Sequence, residues 1–371
     1  MVVVFYISGH GFGHATRDFE VISHITRQAP HARIVVRSLV PAWFVARTLG
    51  QTVEAQACEA DTGVVQIDSL RIDEGATAQR TAEFYRDFPA RVSAEAQVLS
   101  RLGATVVVGD IPPLAFAAAA EARVPSVAFA NFTWDWILAA YPATQALAPG
   151  ALRIMGDAYA QATLALRLPF HGGFERMGDV IRDLPLVARC SKVGRDEARR
   201  RLALDPVRPV VLGSFGGHGA RIPLDEVARR YDLTVLATDF ETHGLDVSST
   251  GGRLRCVGGD ELERLELRYE DLVAAADVVV SKPGYGIVSE CIANGASLLY
   301  TSRGRFAEND VMVAAMQRVL RCRFVEQDEV RAGRWQPHVD ALLSQPPAAE
   351  RMDAHGAPIA ASAILEIAGI R

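Results

Sequence analysis

The sequence predicts an α/β protein of two doubly wound, Rossmann-like parallel-sheet domains that face each other across a central cleft. Short β-branched runs alternate with segments of helical period, the mark of a parallel sheet covered by helices on both faces. The alternation occurs twice, once before Leu184-Pro185 and once after it. The chain has 371 residues, more than the roughly 250 to 300 that one hydrophobic core serves.

In the first series, residues 2–8 read as a strand, 13–27 as a helix, 33–36 as a strand and 40–49 as a helix. A long helical stretch follows near 76–102, then a strand at 104–109, a helix at 113–122 and a strand at 126–130. The second series places helices at 195–202, 222–230, 285–293 and 309–319, with strands at 209–212, 233–237, 277–280 and 297–301. These runs give an N-terminal domain over 1–186 and a C-terminal domain over 187–355. A final segment, 356–371, holds a helix at 357–367 that follows Pro346-Pro347 and is expected to cross back onto the first domain. No low-complexity linker separates the halves, so a wide shared interface is expected.

The composition is 49% hydrophobic and 22% charged, with a formal net charge of −5. That is enough apolar material for buried sheets, and the interspersed charges form no basic face of the kind nucleic acid requires. Five cysteines lie far apart without metal-ligand spacing, as expected of reduced thiols in a cytoplasmic protein. The N-terminal apolar run turns at Gly9, far short of the roughly 20 residues of a membrane span. Residues 39–49, with Trp43 and Phe44, suit either peripheral contact with a membrane surface or a helix packed on a sheet.

Glycine-rich turns at strand ends carry the chemistry. Gly9-His10-Gly11-Phe12-Gly13-His14 joins the first strand to the first helix, where backbone and ligand can approach closely. It departs from the dinucleotide fingerprint in spacing and lacks the later acidic residue, which argues against NAD. An imidazole at a helix N-terminus is disfavoured as the cation, so His14 suits a neutral general base, although it can also simply cap the turn. Gly213-Ser214-Phe215-Gly216-Gly217-His218-Gly219 is the equivalent turn of the second domain, a cradle of N–H groups for a diphosphate without a P-loop lysine. Ser281-Lys282-Pro283-Gly284-Tyr285-Gly286 ends a further strand and leads to Glu290, which can accept from two ribose hydroxyls. Glu308 and Asn309 suit either sugar hydroxyls or an ordinary helix cap. Gly13 and Val257 complete the donor side. With no Asp-x-Asp in the chain, no metal is expected, and helix dipoles and backbone donors are left to hold a departing diphosphate.

These motifs resemble known ones. The turn 9–14 is similar to the Gly-Gly-Thr-Gly-Gly-His turn of the bacterial N-acetylglucosaminyltransferases that complete lipid II, and 213–221 resembles their second glycine-rich loop. Closer similarity, over nearly the whole chain, is to the N-terminal, non-kinase half of plant L-arabinokinase. It is carried by 8–17, by Asn131-Phe132-Thr133-Trp134-Asp135 and by 283–290. The resemblance implies the GT-B fold, inverting transfer from a nucleotide-sugar, with a hint of uracil as the base, and a ribose-binding role for Glu290. The kinase loop is absent, so sugar phosphorylation is not implied. Where lipid-acceptor enzymes carry a basic, apolar patch, this N-domain offers Asp61, Asp68, Asp110, Asn131, Trp134 and Asp135, which together with His10 and Arg17 favour a small polar acceptor. A nucleotide-sugar epimerase and a non-catalytic nucleotide-sugar-binding module are the alternatives.

Overall fold

The apolar run Val2–Ile7 forms β1, with five of its six residues buried, because a parallel strand covered on both faces has no wet side. The computed structural model describes residues 1–216, 222–239 and 245–369. After β1 come β2 (Arg33–Ser38), β3 (Glu54–Ala57), an antiparallel hairpin of β4 (Val65–Asp68) and β5 (Arg71–Asp73), then β6 (Val106–Asp110), β7 (Ser126–Phe132), β8 (Leu164–Gly172) and β9 (Ile181–Asp183). Apart from the hairpin, these strands make one parallel seven-stranded sheet in the order β3-β2-β1-β6-β7-β8-β9. The second sheet is also parallel. Its order is β12-β11-β10-β13-β14-β15, from β10 (Val210–Ser214), β11 (Thr234–Thr238), β12 (Leu254–Val257), β13 (Val278–Ser281), β14 (Ser297–Tyr300) and β15 (Cys322–Phe324).

Both sheets reverse direction once. The chain moves outward from β1 through β2 and β3, then returns to β1's other side as β6; from β10 it moves through β11 and β12, then returns as β13. Such a switch opens a crevice beyond the carboxyl ends of the two strands, where ligands bind in open α/β sheets. Residues 8–14 and Asp110 therefore lie at one switch, and 214–216 and 281–286 at the other.

The helical stretch expected over 76–102 is two helices, Glu74–Arg86 and Phe88–Leu102, parted at Asp87. Pro89 stands at the start of the second; it supplies no N–H, and its ring would clash with the carbonyl four residues back in a continuous helix. Several elements lie beyond the predicted ones, including the edge strands β3 and β15, the strands β8, β9 and β12, and three short helices between 134 and 159.

The domains are tied together at several points. The helix Gly356–Ile367 packs against Phe12–Gln28, and Gly356 N–H donates to the Leu186 carbonyl at 2.9 Å. Leu70, at the hairpin tip of the first domain, is fully buried in the core of the second, beside Val211, Phe215 and Leu299. Asp68 meets Arg331 at 3.5 Å.

Candidate active site

Gly11 precedes the helix Phe12–Gln28 with φ 94°, a conformation that glycine adopts without the Cβ penalty, and no side chain caps the helix. The helix Tyr285–Asn294 begins equally uncapped after Gly284. The two starts converge from opposite domains: a Cβ placed on Gly286 would lie 3.7 Å from Gly13 Cα. Two positive dipole ends thus meet beside a cavity of about 210 Å³, lined among others by His14, Ser214, Gly216, Lys282 and Arg303.

His14 and Arg17, one turn apart on the first helix, both reach Asp110 at the end of β6. Asp110 is completely buried; its Oδ1 lies 2.9 Å from His14 Nδ1, and its Oδ2 accepts from Arg17 Nε at 2.6 Å. Burial pulls this carboxyl up, but the charge of Arg17, with the hydrogen bonds from His14 and Arg17, outweighs it and holds Asp110 well below the ordinary carboxylate range. A carboxylate only accepts, so a bare Nδ1 at that distance would set two lone pairs against each other. Arg17 Nη2, which only donates, lies 3.0 Å from the same nitrogen; in the tautomer that donates from Nδ1 to Asp110, Nε2 is the basic nitrogen. Asp18, one turn beyond His14, is also fully buried; burial and then Asp110's charge raise its carboxyl well above the ordinary range.

The network continues across the cleft. Arg17 Nη1 donates to Asn131 Oδ1 at 2.6 Å, and Asn131 Nδ2 donates to Glu308 Oε1 of the second domain at 2.7 Å. The Arg17 guanidinium lies 5.1 Å from the Tyr285 ring centre, and Tyr285 takes the Val187 N–H on its hydroxyl at 3.1 Å. Arg303 stacks 4.1 Å from the Phe306 ring centre and approaches Glu308 at 3.8 Å.

Of the residues assigned from sequence, His10, Gly13, His14, Arg17, Ser214, Phe215, Gly216, Gly284, Tyr285, Gly286 and Glu308 come together around this cavity. Gly217, His218 and Gly219 lie outside the described residues. Others are placed differently. Glu290 is buried and does not line the cavity; its Oε1 accepts from Arg189 Nε at 2.6 Å, and Arg189 on the interdomain crossing supplies the counter-charge that a buried carboxylate needs. Val257 is a core residue at the end of β12, and Asn309 stands off the cavity wall. On the acceptor side, Asp110 and Asn131 are buried supports beneath His14 and Arg17 and do not line the cavity. Trp134 offers no stacking face: it is 1% exposed, and its indole N–H donates to Asp61 Oδ2 at 2.8 Å. Asp135 accepts from the Trp136 N–H at 3.0 Å and also lies off the wall.

Among the wall residues given no role from sequence are Lys282, Arg303 and Gln66. Lys282 directly follows the end of β13, and Arg303 lies three residues past the end of β14, both on the ligand-bearing edge, a signal that was available. Gln66 had none, since it reaches the cleft only through the hairpin's long-range docking.

No family model matches the chain. It is 29% identical to L-arabinokinase of Arabidopsis thaliana across 99% of its own length and 34% of that protein's. It is 33% identical to the UDP-N-acetylglucosamine--N-acetylmuramyl-(pentapeptide) pyrophosphoryl-undecaprenol N-acetylglucosamine transferase of Clavibacter michiganensis, across 44% of its length and 45% of that protein's. The chain thus spans about a third of the first relative, while its match to the second covers less than half of either protein. Among solved structures it is similar to a UDP-glucosyltransferase from Polygonum tinctorium (TM-score 0.60, 14% identity, covering 99% of this chain and 93% of that one). It is similar also to the glycosyltransferase SnogD from Streptomyces nogalater (0.56, 16%, 100% and 99%) and to Acinetobacter baumannii MurG (0.56, 12%, 98% and 99%). Two Rossmann-like domains closing on one cleft, matched over nearly their full length by these transferases, give this chain the GT-B fold.

Proposed function

We propose that the chain transfers a glycosyl group from a nucleotide-sugar to a small polar acceptor, with His14 as general base.

 The observation that carries this reading is the imidazole of His14, held against Asp110 at the point where helix starts from both domains meet beside Lys282 and Arg303. In the reaction, the acceptor hydroxyl gives its proton to His14 Nε2 as its oxygen bonds to the anomeric carbon. The bond from that carbon to the diphosphate breaks, and the electron pair leaves on the phosphate oxygen. Attack from the face opposite the leaving group inverts the anomeric centre. Lys282, Arg303 and the two helix starts take up the charge of the departing diphosphate, so no metal is needed. Support for a nucleotide donor comes from the neighbours, among them VinC in complex with dTDP and Phytolacca americana UGT2 with UDP-2-fluoro-glucose; a UDP-sugar is the donor to try first.

Incubation with a panel of nucleotide-sugars, with and without hydroxylated acceptors, followed by mass spectrometry, tests the reading. Transfer yields free nucleoside diphosphate together with a glycosylated acceptor. An isomerised donor in the absence of acceptor would point to an epimerase, and binding without turnover to a non-catalytic module. Transfer should persist in excess EDTA; loss restored by Mg²⁺ or Mn²⁺ would contradict the metal-free mechanism.

Lys282 makes the reaction pH-dependent. Burial, and then repulsion from Arg303, push its ammonium down to about 7, against the opposing pull of Glu308 and Asp68. The protonated form is the one that grips a diphosphate. Lys282's contribution to donor kcat/KM is therefore present below about pH 7 and is lost as pH rises through that value, and Lys282→Arg, charged throughout, should abolish this alkaline fall. The check is a pH profile of kcat/KM for wild type and variant; identical profiles would remove Lys282 from donor capture.

A further inference from the structure

A second cavity, of about 230 Å³, opens in the first domain on the other side of His10 and Gln66 from the cleft. Its wall includes Asp61, Thr62, Gln66 and Arg80, with Leu39 and Val64 as apolar patches. We infer that this cavity is the acceptor subsite and that it takes an uncharged, hydroxyl-rich molecule of about one sugar ring; the inference rests on the transfer reading above.

The wall is built for hydrogen bonding. Asp61 is 7% exposed and held by Trp134 Nε1 at 2.8 Å, so its carboxyl is fixed in place. Burial raises that carboxyl above its ordinary range, a pull that a ligand hydroxyl donating to it would relieve. Gln66 has its amide nitrogen 3.3 Å from His10 Nε2, and its Oε1 is buried without a partner, an acceptor left open for a ligand hydroxyl. Clefts for drug-sized ligands run from about 300 to 1,000 Å³, so this one suits something smaller.

Charge decides against an anionic acceptor. Among the described residues Arg80 is the one permanent cation on this wall, and its Nη2 already donates to Glu59 Oε1 at 3.1 Å. A phosphate here would face Asp61 with no free counter-charge. The wall also offers too little apolar surface for a lipid chain. The hairpin completes the enclosure: Gln66 lines both cavities, and its strand is anchored through Leu70 in the second domain's core. The acceptor pocket is thereby finished only when the domains are closed, with the reacting hydroxyl presented past His10 toward His14.

Saturation-transfer NMR on the full chain tests this with D-glucose, D-xylose and myo-inositol as neutral probes, and D-glucose 6-phosphate and farnesyl phosphate as charged ones. At least one neutral probe should bind, about tenfold or more tighter than either phosphate, and Asp61→Asn should weaken it by about tenfold while UDP affinity is unchanged. Gln66→Leu, on the partly exposed hairpin, should weaken the same probe if Asp61→Asn fails to fold. Absence of neutral binding, preference for a phosphorylated probe, or neutral binding indifferent to both substitutions would overturn the assignment. Donor consumption measured on the same protein separates the two ideas: no turnover with intact neutral-probe binding removes the transfer reading and leaves the cavity's ligand class standing.

Discussion

Replacing His14 by alanine should lower the transfer rate by about 10²- to 10⁴-fold, the range that general-base catalysis contributes. Nucleotide affinity should stay within about threefold, because the proposed reading assigns the diphosphate to backbone N–H groups, Lys282 and Arg303 rather than to the imidazole. Steady-state rates and a calorimetric titration with nucleoside diphosphate check both halves. Equal losses in rate and affinity would make His14 a binding residue instead of the base.

Asp110→Asn should do more damage. It removes the charge that pairs with Arg17, and breaking a buried pair from one side costs about 3 to 5 kcal/mol. It also removes the acceptor that fixes the proton on Nδ1; an amide group there can turn its N–H₂ toward the ring and reverse the tautomer, a change worth on the order of 10⁴ in rate where an acid orients a catalytic histidine. A lowered melting temperature together with collapse of activity is expected. A variant as stable as wild type would show that Arg17 finds other charge compensation.

The same pair sets a pH window for stability. Asp110 sits below its ordinary range in the folded chain, so its contribution is present above about pH 4, the unfolded carboxylate value, and is lost as pH falls toward its folded value. Asp18 acts in the opposite sense: its raised carboxyl costs stability as pH climbs above the unfolded value.

Much of the architecture was legible because parallel strands buried on both faces are nearly continuous apolar runs, as in Val2–Ile7, and because glycine turns mark the strand ends that meet a ligand. The edge strands were not, since β3 reads Glu-Ala-Gln-Ala and carries no apolar alternation. Among site residues, those on the turns themselves were visible. The support beneath them was read in residue type but not in role: Asp110 and Asn131 are polar for His14's and Arg17's sake, not for a ligand's. Glu290 and Trp134 have partners that the sequence did not show, for one reason. Each has a partner far away in sequence, Arg189 at 101 positions and Asp61 at 73, and spacing alone does not reveal such pairs.

Hydrogen exchange in the presence and absence of UDP, followed by mass spectrometry, bears most directly on the shared cleft. If one diphosphate is held where the two helix starts converge, amides of residues 9–14 and of residues 281–286 should slow together on addition of that single ligand. Protection confined to one of these segments, or to neither while UDP binds elsewhere, would contradict a site assembled from both domains.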